Sequence, residues 1–312
     1  MAASLCLASV LGSSQVYAGG GTQKVVKHGD DVIVSFRYRD GMDMHLEIGR
    51  CGVNKLMNVK AIYIESDSSG DASPRISPRS RLLVKSGTDW IGPYTVRSNQ
   101  AGDTSRPSFT GGWHGGNGDG TGNPTAWMES LSVTIDGQSM MDDSVYTGDV
   151  RIHAVNYITA YNTISTGKPV LREEVTYFIT HGVVNVQVAS SALSSITILK
   201  YYGLQTQDFS NVGMVRYGNG KEYELGTYSD CGSKGDGNIV NEFSVTDAKD
   251  DCMIVAGIDT SEGLGHFDGI SDDRPTVFTP SYGKTYFDLI FGRSKVMREG
   301  DEIRWKGWYK FE

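Results

Sequence analysis

The run DVRIHAVNYITAYNT, residues 149–163, alternates residue type with a period of two. Successive side chains of a β-strand point to opposite faces, so every second residue of this run lies on one side of a sheet. One face is mainly small and apolar and suits a hydrophobic core. The other carries a guanidinium, an imidazole and two phenols, from Arg151, His153, Tyr157 and Tyr161. The run therefore predicts a strand that buries one face and exposes a polar, aromatic one.

Similar runs follow one another along most of the chain. Four of them flank residues 149–163: SLSVTIDGQSMM (130–141), LREEVTYFIT (171–180), VVNVQVASS (183–191) and SITILKYYGLQ (195–205). Pairs such as Asp136-Gly137 and His181-Gly182 lie between runs and are typical of tight turns. The same alternation marks residues 31–40, 44–49, 59–66, 81–87, 252–258, 284–292 and 302–311.

No long window of the sequence keeps an apolar helical face. The best candidate, RSKVMREG at residues 293–300, predicts at most one or two helical turns. Strands at short spacing joined by turns are typical of a sandwich or barrel rather than of a parallel α/β sheet. We therefore expect one all-β domain over residues 19–312, a large antiparallel β-sandwich of super-sandwich or jelly-roll-like form.

The charge and hydropathy of the chain exclude two classes of partner. It has 29 Lys and Arg against 37 Asp and Glu, a formal net charge of -8, and no basic stripe. Nucleic-acid binding needs clustered basic residues, so a nucleic-acid partner is not expected. No apolar segment approaches the ~20 residues of a membrane-spanning helix, so no membrane span is expected.

The N-terminus has features of a signal peptide. A short apolar run, residues 2–11, is followed by polar residues and by the small-residue pattern Val16-Tyr17-Ala18. The positive charge that usually precedes the apolar run is absent, and a buried N-terminal strand is the alternative. We expect residues 1–18 to be removed and the rest to be secreted, in the periplasm or outside the cell.

Two cysteines fit an exported protein. Cys231 and Cys252 flank a Gly/Asp-rich excursion that a disulfide between them would close. Buried free thiols are the alternative.

The segment TGGWHGGNGDGTGNPTA, residues 110–126, places a tryptophan and a histidine among seven glycines. Glycine costs backbone entropy on folding, so such a loop is expected where the backbone turns sharply or approaches another group closely. We expect a ligand site here, with Trp113 stacking on a sugar ring and His114 and Asn117 beside it. The alternative is a structural loop whose tryptophan folds back onto the sandwich.

The same loop has some features of a calcium site. Residues 117–122, NGDGTG, supply oxygen donors and a glycine at the sixth position, but Met128 stands where a bidentate glutamate belongs. Solvated Asp/Gly turns are the favoured interpretation, so no cofactor is expected and calcium is the one alternative.

The candidate side chains match eliminative cleavage of a uronic-acid polysaccharide. That reaction needs a base for the proton beside the carboxylate, a group that neutralises the carboxylate, and an acid for the leaving oxygen. His114 or His153 suits the base, Arg151 the neutralising group, and Tyr157 or Tyr161 the acid. Neighbouring strands offer further substrate-binding groups: Arg172, Glu174, Lys200 and Tyr202.

Two other functions remain open. A hydrolase would need two carboxylates flanking the bond, and Glu173 and Glu174 point to opposite faces of their strand. Other carboxylates could form that pair: Glu129, Asp136, Glu242 and Asp268. A non-catalytic glycan-binding or structural β-sandwich module, of adhesin or phage-tail type, would use the same aromatic residues without proton transfer.

Part of the chain resembles a known family. EEVTYFITHGVVNVQVASS (173–191), followed by ITILKYYGLQ (196–205), resembles the galactose-mutarotase-type super-sandwich proteins. TDWIGPY (88–94) and the C-terminal segment are similar to carbohydrate-active domains of secreted and phage-tail proteins. The resemblance implies a sandwich fold and an association with sugars, and it assigns no catalytic residue. Together with the residues above, it favours an exported polysaccharide lyase.

Overall fold

The structure is a computed structural model that describes residues 22–102, 106–207, 209, 212–224, 239–249, 252–280 and 283–312. The predicted signal peptide, residues 1–18, lies outside these ranges. Within them the chain forms two short 3-10 helices, Ile164–Thr166 and Gly263–His266, and the following strands: β1 (Lys24–His28), β2 (Asp31–Arg39), β3 (Met42–Cys51), β4 (Leu56–Ser66), β5 (Arg81–Lys85), β6 (Tyr94–Ser98), β7 (Ala126–Ile135), β8 (Gln138–Ser139), β9 (Val145–Thr147), β10 (Val150–Thr159), β11 (Pro169–Thr180), β12 (Val183–Ala192), β13 (Ile196–Gln207), β14 (Val212–Tyr217), β15 (Glu222–Glu224), β16 (Glu242–Asp247), β17 (Met253–Ile258), β18 (Gly269–Ile270), β19 (Val277–Phe278), β20 (Lys284–Phe291), β21 (Lys295–Met297) and β22 (Glu302–Phe311).

The strands form three sheets. The large sheet has ten strands in the order β15-β14-β16-β17-β22-β12-β11-β10-β7-β8. The first small sheet has the order β5-β4-β3-β2-β1-β9, and the second small sheet has β18-β20-β13-β21, with β6 also paired to β13 and β19 to β20. Apart from the parallel pair β18–β20, the strand pairs described are antiparallel, and the expected all-β antiparallel sandwich is confirmed.

Alternation of residue type is the reason that these segments form half-buried strands. In β12, Val184, Val186 and Val188 are buried, while Asn185 and Gln187 between them are exposed. The valines pack into a continuous apolar cluster to which all three sheets contribute. Burying one side of each strand removes apolar surface from water and fixes which residues face outward.

Two of the predicted turns have the backbone that a two-residue hairpin needs. Asp136 and Gly137 connect β7 to β8 with φ of 45° and 79°, and His181 and Gly182 connect β11 to β12 with φ of 42° and 79°. Positive φ at both central residues gives the turn a twist that matches the flanking strands. These turns fix the register of the strands that they join.

A polar cluster lies in the core between the large sheet and the second small sheet. Tyr94 on β6 donates its hydroxyl to Glu173 Oε2 of β11 over 2.8 Å, and its ring stacks on Tyr201 of β13 with centroids 4.0 Å apart. Asn156 Nδ2 donates to Glu173 Oε1 over 3.0 Å. Burial raises the pKa of the Glu173 carboxyl above its ordinary value, although these two hydrogen bonds oppose the shift.

Two details differ from the sequence-based expectations. Residues 295–297, within the segment considered for a helical turn, form β21, which pairs with β13 through Ile196 and Met297. Pairing with a central strand outweighs the weak local preference of so short a segment. Strand β10 ends at Thr159, so Tyr161 does not continue its exposed face; its side chain is only 4 % exposed.

The cysteine prediction is only partly covered by the structure. Cys252 is buried, and Cys231 lies outside the described residues, so their disulfide stays a prediction. Cys51 is also buried, and that burial raises the pKa of its thiol to about 12.

No helix in the described part of the chain is long and apolar enough to cross a membrane.

Candidate functional site

Five of the candidate residues lie together on the outer face of the large sheet. Arg151, His153 and Tyr157 alternate along β10, and the register pairs Tyr157 with Arg172 of β11 and Val155 with Glu174. Their neighbours on the same strands, such as Ile152 and Asn156, are buried on the inner face. We call this set, together with Trp127 of β7, the β10 face: Trp127, Arg151, His153, Tyr157, Arg172 and Glu174.

Arg172 and Glu174 of the β10 face form an ion pair beside His153, whereas the Arg151 guanidinium lies over the Phe178 ring. Arg172 Nη1 donates to Glu174 Oε1, and Glu174 Oε2 lies 3.6 Å from His153 Nε2. His153 Nδ1 is 2.9 Å from the hydroxyl oxygen of Thr176. Partial burial and the nearby Arg151 lower the pKa of His153, and Glu174 opposes this. Arg172 is thus already neutralised by Glu174, which weakens Arg172 as a partner for a substrate carboxylate.

The glycine-rich loop lies at another place in the sandwich, over the turn between β3 and β4. The buried Asn54 of that turn holds both ends of the loop: its Nδ2 donates to Gly112 O and His114 O at 3.0 and 2.8 Å. Its Oδ1 accepts the N–H groups of Thr125 and Ala126 at 2.7 and 3.0 Å. One side-chain amide therefore fixes the position of the loop on the sheet.

Trp113 is half-buried and contacts the β3–β4 turn, and its stacking on a sugar ring stays a prediction. A Cβ on Gly52, whose φ is 66°, would lie 2.7 Å from Trp113 Cα and 2.9 Å from the indole ring. Trp113 O also accepts the N–H of Val53 at 3.3 Å. The tryptophan thus packs against the β3–β4 turn.

His114 is held against a buried carboxylate. Asp89 follows β5, is fully buried, and places its Oδ2 3.3 Å from His114 Nδ1. Its other oxygen, Oδ1, accepts the backbone N–H of Trp113. The His114 side chain keeps 17 % exposure, so Nε2 is the ring nitrogen left to meet a ligand. The two atoms are close but make no hydrogen bond with each other, so Asp89 places a negative charge beside Nδ1 and Nε2 is the nitrogen available for proton transfer.

Aromatic and basic side chains continue from this pair. Phe109 lies 5.0 Å from the His114 ring and 5.3 Å from Tyr202, and Tyr202 lies 4.5 Å from Tyr286. Lys284 Nζ is 5.1 Å from the Tyr286 ring centroid and 3.1 Å from Gln205 Oε1. Desolvation lowers the pKa of Lys284, and the negative charge of Asp89 opposes that shift.

Lys284 Nζ also donates to the hydroxyl of Thr88, which precedes Asp89 in the chain, so these contacts end close to where they begin. We call these residues the His114 cluster: Asp89, Phe109, His114, Tyr202, Lys284 and Tyr286. An imidazole, phenols and an ammonium group around one place are the side chains that acid–base catalysis requires.

Two further cations lie next to the His114 cluster. Lys200 Nζ is 4.8 Å from the centroid of the Phe291 ring and Arg274 Cζ is 5.1 Å from it, while the Tyr202 centroid is 6.2 Å away. Asp288 is buried beneath them without a hydrogen bond to either carboxylate oxygen. Burial raises the pKa of Asp288 well above its ordinary value, against the charges of Lys200 and Arg274. The raised pKa favours the neutral form of Asp288, and no ion pair of Lys200 or Arg274 is seen among the described residues.

The candidate residues thus fall into two groups rather than one. Glu173 and Tyr201 face each other across the core through Tyr94, so their sequence neighbours Glu174 and Tyr202 point to opposite outer surfaces. His114 and Lys200 belong with Tyr202, whereas Arg151, His153, Tyr157 and Arg172 belong with Glu174. Asn117 is exposed in the loop and donates to the Thr121 hydroxyl, and the buried Tyr161 joins neither group.

Sequence reasoning missed four of the six residues of the His114 cluster: Asp89, Phe109, Lys284 and Tyr286. Asp89 stands in TDWIGPY, the segment that resembles carbohydrate-active domains, and this was a signal of its importance. The others come from distant segments; Lys284 donates to Thr88 Oγ1, 196 residues away. Pattern alone does not connect such positions.

The acidic residue of the segment considered for calcium is engaged locally. Asp119 Oδ1 accepts the N–H of Thr121 over 2.8 Å, and this hydrogen bonding lowers the pKa of Asp119. Among the described residues, no group of three or more His, Cys, Asp or Glu side chains is arranged to hold a metal ion.

Comparison with known proteins gives distant structural similarity only. No family model matches the chain, and no curated protein matches it. It is similar to the galactosidase domain of an α-galactosidase–sucrose kinase, with a TM-score of 0.41, 9% identity and coverage of 95% of this chain and 41% of that one. It is also similar to a galactose mutarotase-like protein from Lactobacillus casei ATCC 334, with a TM-score of 0.39, 9% identity and coverage of 93% of this chain and 100% of that one. The description of the second protein names the family that part of this sequence resembles. Because the TM-scores and identities are low, these similarities assign no activity, and a function has to be argued from the residues of this chain.

Proposed function

We propose that this protein is an exported carbohydrate-active enzyme that cleaves an acidic polysaccharide by β-elimination, and that the His114 cluster is its catalytic centre. The observation that carries the proposal is the close contact of His114 with the buried Asp89, beside Tyr202 and the two cations over Phe291. Export is supported by the signal-peptide features of residues 1–18.

His114 is the base in this mechanism. The Asp89 carboxylate beside Nδ1 stabilises the imidazolium that forms when Nε2 takes the proton from the sugar carbon next to the substrate carboxylate. The electron pair of that C–H bond forms a C=C bond as the glycosidic C–O bond on the neighbouring carbon breaks. The leaving oxygen then needs a proton, and Tyr202 donates it from its phenol.

Lys200 and Arg274 neutralise the substrate carboxylate. Removal of a proton beside a carboxylate places negative charge on that group, and a nearby cation stabilises it. The chain as a whole carries a net charge of -8, so an anionic polymer needs a locally basic site. Both cations lie over Phe291, next to Tyr202.

The test is to incubate the purified protein with a panel of uronate polysaccharides and follow the ultraviolet absorbance of the conjugated double bond formed by elimination. We expect turnover of at least one polymer, loss of turnover in His114→Ala, and full activity in His28→Ala. His28 is a matched control because it is an exposed histidine on β1, paired with Asp143.

His153→Ala separates the two groups of candidate residues. Since His153 lies on the β10 face, we expect this variant to keep its turnover. Loss of turnover in His153→Ala with retention in His114→Ala would move the catalytic centre to the β10 face. Absence of turnover on every polymer, together with measurable glycan affinity, would make the protein a glycan-binding module instead.

A further inference from the structure

An exposed tryptophan begins a straight row of side chains across the large sheet. Trp127 of β7 is 41 % exposed, and the register pairs it with Tyr157, Tyr157 with Arg172, and Arg172 with Ser191. The Trp127 and Tyr157 rings lie 5.7 Å apart with 32° between their planes. Four strands separated by about 4.8 Å make this row roughly 14 Å long.

The neighbouring row carries shorter side chains than these two rings. Across the same strands it consists of Ser130, Val155, Glu174 and Ala189. Three of these side chains are small or β-branched, so the tall row of Trp127 and Tyr157 stands above them. Glu174 is the polar member of the row, and it binds the Arg172 guanidinium.

Arg172 is fixed at the end of the two rings by polar contacts. Its guanidinium is held by Glu174 and lies within hydrogen-bonding reach of the Tyr157 hydroxyl. The charges of Arg172 and Glu174 offset each other, and the lowered pKa of His153 favours its neutral form. The result is a donor and an acceptor side by side with little net charge.

This arrangement matches the chemistry of an uncharged sugar. A pyranose ring has an apolar face of C–H groups, which stacks on an indole, and a rim of hydroxyls that donate and accept hydrogen bonds. A fixed Arg–Glu pair offers one acceptor and several donors to two adjacent hydroxyls. A carboxylate sugar gains little here, because the Arg172 guanidinium that would receive it is already paired with Glu174.

We infer that Trp127, Tyr157, Arg172 and Glu174 form a second glycan-binding surface, on the opposite side of the sandwich from the His114 cluster, that takes a neutral pyranose unit. The surface holds a polymer without acting on it. It does not depend on the catalytic proposal, because it shares no residue with the His114 cluster.

The test is a binding titration of the full chain with neutral gluco-, manno- and galacto-oligosaccharides and with a uronate oligosaccharide, followed by calorimetry and tryptophan fluorescence. We expect a neutral oligosaccharide to bind and Trp127→Ala to weaken it about tenfold, the upper range for loss of an aromatic contact. Trp127→Phe keeps a ring and should retain most of the affinity. Phe178→Ala, which removes an exposed aromatic elsewhere on the same sheet, is the matched control.

A second variant guards against loss of folding in Trp127→Ala. Arg172→Gln leaves the rings intact and removes the charged fork, so it should also lower the affinity while the melting temperature stays within a few degrees. No binding of any neutral oligosaccharide by the wild type, or unchanged affinity in both variants, would overturn the inference. A change of oligomeric state in Trp127→Ala, with sugar affinity intact, would overturn it in favour of self-association.

The same variants distinguish this surface from the catalytic centre. Trp127→Ala should leave turnover of a short soluble substrate unchanged, and His114→Ala should leave affinity for the neutral oligosaccharide unchanged. If Trp127→Ala abolished turnover of the short substrate, the β10 face would belong to the active site and the surface would not be a separate one.

Discussion

The Asp89 carboxylate lies 3.3 Å from His114 Nδ1 at a position closed to solvent. A carboxylate in this place stabilises the charged form of the imidazole when the ring accepts a proton. We expect Asp89→Asn to lower kcat by about 10²–10⁴-fold. The amide retains an oxygen for the N–H of Trp113, so the melting temperature should change little.

Asp142→Asn is a suitable control for Asp89→Asn. Asp142 is exposed and paired with Lys27, away from the His114 cluster, so its neutralisation should leave kcat unchanged. Equal activity of Asp89→Asn and the wild type, with His114→Ala inactive, would show that His114 works without a charged partner.

Gly112 tests whether the glycine-rich loop is required to place His114. Its φ is 49°, and a Cβ would collide with Asp89 Oδ1. We expect Gly112→Ala to lose about 1–2 kcal/mol of stability from the backbone alone, more from the collision, and most of its turnover because the Asp89–His114 pair is displaced. The measurements are denaturant unfolding and the elimination assay.

Gly137→Ala isolates the backbone effect. Gly137 has φ of 79° and no heavy atom within 4 Å of its missing Cβ. This variant should be less stable by about 1 kcal/mol and fully active. If Gly112→Ala behaved in the same way, the loop would tolerate displacement and would not be needed to hold the pair.

The fold could be predicted from the sequence because burial on one face imposes a local period of two. Each long strand of the large sheet carries that period in its own residues, as β12 does with Val184 and Val186 facing in and Asn185 facing out. Strands of two or three residues have too few positions to show a period. Segment 295–297 is a strand because β13 lies beside it, and that neighbour is distant in sequence.

The candidate site was predictable only where a single strand carried it. Alternation correctly brought Arg151, His153 and Tyr157 to one face, because neighbours on a strand share a face every second residue. Alternation within one strand does not show whether its outward side chains share a surface with those of another segment. His114 was therefore expected with His153, whereas the core lies between them.

The buried Glu173 carboxyl should make stability depend on pH. Its pKa is raised above the ordinary value of 4.5 by burial. A raised pKa means that the stability contributed by this group is fully present below about 4.5 and is lost as the pH rises through the raised value. Glu173→Gln stays neutral, so between about pH 5 and about pH 8 it should lose less stability than the wild type. Unfolding in denaturant at both pH values measures the difference.

Glu173→Ala is the contrasting variant. It leaves the Asn156 amide without its acceptor in the core, which costs about 1–3 kcal/mol, while the Tyr94 hydroxyl keeps Ser190 Oγ at 2.7 Å. A Glu173→Gln protein with the same pH dependence as the wild type would show that another group dominates the pH dependence in this range.

The two cations over Phe291 should govern affinity for the anionic polymer rather than the rate of the chemical step on short substrates. Each of Lys200→Met and Arg274→Gln removes one charge near the substrate carboxylate, worth about 1 kcal/mol at short range in water, and should raise KM about fivefold. The salt dependence of KM should fall in both variants, because fewer charges meet the polyanion. Asp288→Asn is the matched control: burial raises the pKa of this carboxyl, so it is already neutral below that value, and its replacement should leave KM and the salt dependence unchanged. Asp288→Asn could instead raise the affinity by as much as Lys200→Met and Arg274→Gln lower it. That result would mean that Asp288 is charged and neutralises Lys200 and Arg274. The two cations would then not be the partners of the substrate carboxylate.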